Sequence, residues 1–93
     1  MAAQTFALLA DTTRLRIVWN LRDRELNVNE LAERVAKAAA AVSQHLGKLR
    51  LAGIVQTRRD GNFVYYRLAD AHIGELVEDA LYHAAHLRPR NAG

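Results

Sequence analysis

The sequence predicts a mainly α-helical domain of the winged helix-turn-helix class, with five helices and a two-stranded antiparallel β-hairpin. Three observations predict this fold. Two short amphipathic segments follow one another in the middle of the chain, a hairpin signal comes directly after them, and a long amphipathic segment follows the hairpin. The 93 residues contain no internal repeat and no linker, so we expect one domain over residues 1–93.

The first two helices are predicted over residues 4–10 and 12–22. Asp11 lies between them and is a suitable N-cap for the second helix, because a carboxylate accepts backbone N–H groups of the first turn. The apolar residues of the second helix recur at helical spacing and comprise Leu15, Val18, Trp19 and Leu21.

The third helix is predicted to begin after Asn27 and to run to about Ala36, with Glu30 in the spacing of a capping box. A fourth helix is expected over residues 39–52, and Gly53 follows it at the position where helices favour glycine. The apolar side of this fourth helix carries Val42, Leu46 and Leu49, and its polar side carries Ser43, Gln44, His45 and Lys48.

Two segments rich in β-formers, residues 54–59 and 62–68, flank the dipeptide Asp60-Gly61 and so predict a hairpin. The final helix is expected over about residues 70–87. Its apolar stripe, which we assign to a dimer seam, comprises Ile73, Leu76, Val77, Ala80, Ala84 and Leu87.

Charge is segregated along the chain. Residues 34–67 carry seven Lys and Arg side chains and one acid, whereas residues 68–87 carry four acids and no Lys or Arg. A basic middle segment suits a phosphate backbone, although charge alone also fits a solvated basic face.

Composition excludes several classes of protein. The 93 residues contain no cysteine, so they form no disulfide or thiolate metal site. No apolar run approaches the roughly 20 residues that cross a bilayer, and the N-terminus does not resemble a secretion signal. We therefore expect a cytoplasmic protein with no membrane partner.

The order helix, helix, basic hairpin predicts binding to double-stranded DNA. Ser43, Gln44 and His45 offer donors and acceptors to base edges, and Lys48 and Arg50 lie where phosphate contact is expected. The predicted wing adds Arg58, Arg59 and Asn62. Each of these residues alone also fits an ordinary surface position, so their order in the chain makes the prediction.

Four segments, residues 9–17, 29–33, 42–50 and 58–68, resemble the ArsR/SmtB family of metal-responsive repressors. The resemblance covers about residues 6–86 and implies a dimer of winged helices that binds DNA when it is free of metal. The chain departs from the family pattern in the turn and start of the recognition helix. Alanines occupy positions at which the family usually has Gly, Ser, Pro or polar residues: Ala36, Ala38, Ala39, Ala40 and Ala41.

Asp70, His72, His83 and His86 form a possible metal site, since carboxylate and imidazole groups bind zinc, nickel and cobalt. Eleven residues of helix separate His72 from His83 by roughly 16 Å, too far for one ion. An antiparallel second copy would instead bring Asp70 and His72 of one protomer to His83 and His86 of the other, which predicts a homodimer.

The same four positions match the C-terminal-helix metal site of the family, so the resemblance implies that they are ligands. The family's Cys-x-Cys site is absent, because residues 27–29 read Asn-Val-Asn, which disfavours soft metals. One Asp and three His favour four-coordinate zinc, with nickel or cobalt as further candidates.

Two other functions stay open on the sequence. The chain is a winged-helix regulator without a metal response if its last helix serves dimerisation only, and Asp70 alone also fits a helix N-cap. A small zinc hydrolase is disfavoured because one chain cannot bring the histidines together and offers no candidate base. We expect no enzymatic activity and no small organic substrate.

Overall fold

The protein is described by a computed structural model, which covers the backbone of residues 2–91 and the side chains of residues 3–86. The predicted fold class is confirmed: five helices and one antiparallel hairpin occur in the predicted order. Their bounds are α1 Ala2–Leu9, α2 Thr12–Asn20, α3 Val28–Val35, α4 Ala39–Leu51, β1 Val55–Asp60, β2 Phe63–Leu68 and α5 Ala71–Asn91.

The hydrophobic core lies among α2, α3 and α4, and β1 and α5 close it. Seven of its side chains have no exposed surface: Ile17, Val18, Leu31, Val35, Val42, Leu46 and Leu49. Burying such a side chain contributes about 1.5–3 kcal/mol each. The inward face of α4 is therefore fixed by packing, and its opposite face is directed to solvent.

Caps define the helix ends. The predicted capping box of α3 is present, with Asn27 and Glu30 each accepting the backbone N–H of the other at 2.9 Å. The helix α4 ends in a Schellman motif at Gly53, which has φ +76° and donates to the carbonyl of Arg50 at 3.0 Å. Ile54 donates to the carbonyl of Leu49 at 2.9 Å, and β1 begins at the next residue.

The turn of the hairpin lies one residue later than predicted. Asp60 pairs with Phe63, so the two loop residues are Gly61 and Asn62 rather than Asp60 and Gly61. Gly61 has φ +62°, and a glycine at the first loop position is typical of a type II′ turn, which matches the twist of paired strands.

A further backbone link at the base of the hairpin was not predicted. Leu26, in the connection between α2 and α3, donates to the carbonyl of Tyr66 at 3.1 Å and accepts from its N–H at 2.8 Å. This pair joins β2 to the body of the domain along the edge that β1 leaves open.

The helix α5 extends to Asn91, beyond the predicted end near Leu87 and past Pro89. Proline removes one helical N–H, a loss that the last turn of a long helix tolerates. Val77 is 2% exposed and belongs to the core of its own chain, with Ile73 packed beside it. The predicted seam is therefore wrong at Val77, Ile73 is partly buried, and the side chain of Leu87 lies outside the described residues.

Ala36 at the end of α3 offers a test of stability. It adopts a left-handed conformation, φ 57° and ψ 46°, which costs an L-residue about 1–2 kcal/mol and glycine much less. We expect Ala36→Gly to raise the free energy of unfolding by about 0.5–1 kcal/mol, because the greater freedom of glycine in the unfolded chain offsets part of the gain. Urea unfolding measures the change.

The matched control is Ala40→Gly, in the first turn of α4. In a right-handed helix the same substitution should lower stability, by up to about 1 kcal/mol. Loss of stability in both variants would show that the strain at Ala36 does not affect folding.

Candidate DNA interface and metal ligands

The outward face of α4 presents most of the residues predicted to contact DNA. Ser43, Gln44, Lys48 and Arg50 are all exposed, and none of them forms an ion pair with another described side chain. Their donors and acceptors are free for base edges and phosphate oxygens. The arrangement fits a recognition helix.

The start of α4 offers no such groups. Ala38 is the N-cap, and its methyl group makes no hydrogen bond to the first turn. Ala39 and Ala40 are exposed but carry no donor or acceptor. The first exposed polar side chain of α4 is therefore Ser43, one turn into the helix.

His45 has a partner within the chain that the sequence did not reveal. It is half-buried, and its Nδ1 lies 3.4 Å from Nη1 of Arg14, whose Nε donates to the carbonyl of Leu8 at 2.8 Å. Because a guanidinium only donates, Nδ1 is the acceptor in this contact. His45 thus links α4 to the corner between α1 and α2.

Asp11 completes this corner. Its Oδ1 accepts the backbone N–H of Arg14 at 3.0 Å, which confirms the predicted N-cap of α2. This hydrogen bond, and then the nearby Arg14 charge, lowers the pKa of Asp11 against the opposing effect of burial. Helical spacing had placed Arg14 outside the apolar set, and only its position inside a family motif gave a signal of its role.

The two adjacent arginines of the wing have different surroundings. Arg58 binds Glu25 and lies with its guanidinium carbon 5.1 Å from the ring centre of Tyr65. The hydrogen bond from Arg58 is the largest influence on Glu25 and holds the pKa of that carboxyl below its usual range, although burial acts in the opposite direction. Arg59 and Asn62 are exposed, and Arg59 forms no ion pair among the side chains described.

The four predicted metal ligands lie along α5 or immediately before it. Asp70 accepts the N–H of Ile73 at 3.2 Å, so its Oδ1 caps the helix while its other oxygen is free. Nδ1 of His72 lies 3.5 Å from Oε1 of Glu75. Nδ1 of His86 donates to the carbonyl of Tyr82 at 2.9 Å, and the centres of the two rings lie 4.0 Å apart with their planes tilted by 39°.

These contacts suit metal binding, because a ligating histidine ordinarily donates its second ring N–H to a carboxylate or carbonyl. In both His72 and His86 the contact engages Nδ1 and leaves Nε2 available. The helix is continuous, so His72 and His83 are separated by roughly 16 Å along its axis, as the sequence predicted. Within the described residues, no group of three His, Asp or Glu side chains comes together to hold an ion.

An apolar groove of about 190 Å³ runs between α1 and α5. Its rim includes Phe6, 58% exposed, and Leu76, 37% exposed, with Ala80 beside them. Leu76 and Ala80 lie on a flank of α5, Phe6 lies opposite them on α1, and the chain itself leaves the groove between them uncovered. The part of the predicted seam that faces outward is therefore Leu76, Ala80 and Ala84.

Across the part of the chain that is described, no helix combines the length and apolar character needed to span a bilayer.

Residues 11–57 match the family model described as bacterial regulatory protein, arsR family. The HTH-type transcriptional regulator KmtR of Mycobacterium tuberculosis is 52% identical over 89 residues, which cover 96% of this chain and 68% of that protein. The HTH-type transcriptional repressor SmtB of the same species is 41% identical over 83 residues, 89% of this chain and 62% of that protein.

Solved structures agree. The crystal structure of M. tuberculosis Rv0081 superposes with a TM-score of 0.89 at 36% identity, covering 99% of this chain and 93% of that one. A homodimeric winged helix-turn-helix DNA-binding domain, Mb0332 from Mycobacterium bovis, gives a TM-score of 0.81 at 28% identity over 90% of this chain and 78% of that one. With this fold and these matches, the chain belongs to the ArsR family of bacterial transcriptional regulators.

Proposed function

We propose that the chain is a homodimeric repressor that binds operator DNA without metal and releases it when a divalent transition metal binds at Asp70, His72, His83 and His86. The observation that carries this proposal is the placement of three of these donors along one continuous helix and of Asp70 at its N-cap, too far apart to meet within one chain, beside an uncovered apolar groove. Members of the ArsR family are transcriptional regulators and not enzymes, which excludes the zinc hydrolase alternative.

The DNA side of the proposal uses two copies of α4. Ser43 and Gln44 of each copy meet base edges of a major groove, and Lys48 and Arg50 contact phosphates. Two recognition helices fit half-sites about 34 Å apart, one helical turn of DNA. Binding therefore depends on the distance between the two copies.

The dimer is proposed to form through α1 and α5. Phe6, Leu76 and Ala80 are apolar, exposed and adjacent, and burial against a second copy would remove them from water. The M. bovis relative, whose fold this chain shares, is homodimeric. Two α5 helices that cross antiparallel also bring the donors of one copy to those of the other.

A bound cation would supply bonds that tie Asp70 and His72 of one copy to His83 and His86 of the second. The chain contributes the orientation of the donors: the contact of His86 with Tyr82 and that of His72 with Glu75 direct Nε2 outward. Because imidazole binds metal only when neutral, acid should weaken the release.

Zinc is the proposed effector, since one carboxylate and three imidazoles complete a tetrahedron. Nickel and cobalt favour additional ligands. The absorption of the cobalt(II) complex distinguishes the geometries: intense visible bands indicate four ligands and faint bands indicate six.

The test is fluorescence anisotropy of labelled DNA from the region upstream of the protein's own gene. The purified chain is added, and zinc, nickel and cobalt are titrated separately at pH 7.5 and pH 5.5. We expect salt-dependent binding, release by at least one metal at pH 7.5, recovery after chelation, and a weaker response at pH 5.5. DNA binding with no affinity for any of the three metals would instead favour a regulator whose last helix serves dimerisation only.

A further inference from the structure

One carboxylate holds two cations of the wing. Oε1 of Glu25 accepts a hydrogen bond from Nε of Arg58 at 2.9 Å and lies 2.7 Å from its Nη2. Oε2 of Glu25 lies 3.5 Å from Nη1 of Arg67 on the other strand. The Glu25 side chain is 29% exposed, so these contacts are partly shielded from solvent.

Strand geometry separates Arg58 from its neighbour. Successive side chains of a strand point to opposite faces, and directly paired residues share a face. Arg58 pairs with Tyr65 on the face that Glu25 covers, whereas Arg59 pairs with Val64 on the other. Arg59 is exposed and, within residues 3–86, has no carboxylate partner.

The contacts of Glu25 with Arg58 and Arg67, here called the clamp, reach beyond the base of the hairpin. The Leu26–Tyr66 backbone pair fixes that base, and Arg58 lies one residue nearer the tip than Thr57, the partner of Tyr66. Glu25 therefore adds a second attachment to the outer half of the wing, from the residue adjacent to Leu26.

We infer that Glu25 is a positioning residue for the wing: it holds Arg58 and Arg67 against the body of the domain and leaves Arg59 as the wing arginine that contacts a DNA phosphate. This inference rests on the proposed DNA binding for its second half only. It distinguishes two adjacent arginines that the sequence treats alike.

Hydrogen exchange of the free protein tests the clamp without DNA. Glu25→Gln and Arg58→Gln should each accelerate exchange of the hairpin amides of residues 58–65 by about two- to fivefold, in proportion to the loss of a partly exposed ion pair. The double variant should exchange no faster than Glu25→Gln alone, because Glu25→Gln already removes the contacts of both Arg58 and Arg67. Glu33→Gln, which removes an exposed carboxylate without an ion-pair partner among the described side chains, should change nothing. Unchanged wing exchange in Glu25→Gln would refute the clamp.

The role of Arg59 in contacting a DNA phosphate is tested by the dependence of DNA affinity on salt concentration. Each phosphate neutralised contributes about 0.9 to the slope of log affinity against log salt. In the proposed homodimer Arg59→Gln removes one phosphate contact from each copy and should lower the slope by about 1.8, whereas Arg58→Gln should weaken binding and keep the slope. An equal loss of slope in Arg58→Gln would show that Arg58 itself contacts phosphate and would overturn the inference. If the unaltered chain binds no DNA, the proposed function fails, while the exchange result still decides on the clamp.

Discussion

Replacing His83 by alanine is expected to abolish release of DNA by metal while the affinity of the metal-free chain for operator DNA stays within about twofold. His83 is exposed on α5 and makes no contact with α4 or the wing among the hydrogen bonds and ion pairs of the described residues. Without it, each proposed site would keep three of its four ligands, and we expect the coupling between metal and DNA, typically about 5- to 150-fold for one site, to be lost.

The measurement is the DNA dissociation constant with and without saturating zinc. Asp79→Ala is the matched control, because Asp79 is an exposed acid one turn earlier on α5 and lies outside the proposed donor set. Normal release in the control and none in His83→Ala would support the site. Undiminished release from His83→Ala would eliminate these four residues as the sensor.

The second large effect is expected from Leu76→Glu. This substitution places a charge on the rim of the apolar groove between α1 and α5, where burial against a second copy would strip its water. We expect a monomer that still folds, because Leu76 is 37% exposed and glutamate is a good helix former. DNA affinity should fall by about 10²-fold or more, with a salt slope near half, since one copy makes half the phosphate contacts.

Sedimentation gives the oligomeric state, and circular dichroism checks the fold. Tyr82→Glu is the control on the same helix: Tyr82 is more exposed than Leu76 but lies on the other flank of α5, beside Trp19. A dimeric Leu76→Glu together with a monomeric Tyr82→Glu would move the interface to that other flank.

Local signals in the sequence were sufficient for most of the fold. The capping box at Asn27, the N-cap at Asp11 and the glycine after α4 each specify a helix end through a few neighbouring atoms, and all three were predicted. The hairpin was also predicted, but its turn was displaced by one residue. Both Asp60-Gly61 and Gly61-Asn62 are good turn dipeptides, and strand pairing selects between them.

Contacts between distant segments were not predictable in this way. The pairs Arg14–His45 and Glu25–Arg58 join residues 31 and 33 positions apart, and no periodic pattern encodes them. The seam on α5 was overestimated for a related reason: a helix between a core and an open groove is apolar on both sides, so periodicity alone cannot assign Val77 inward and Leu76 outward. The structure places His72, His83 and His86 on α5 and Asp70 at its N-cap, while their role as metal ligands and their convergence across a second chain stay predictions.

The short attachment of the wing limits how any effector can act. A single glycine turn joins α4 to the hairpin, and the Leu26–Tyr66 pair ties the other strand to the segment before α3. We therefore expect helix and hairpin to move together, with little freedom to flex against each other. An effector bound at the far end of the molecule would then change the fit to DNA by altering the distance or angle between the α4-and-hairpin units of the two copies. Two copies linked by a rigid spacer of the correct length should then bind duplex DNA with the same affinity whether or not the effector is present.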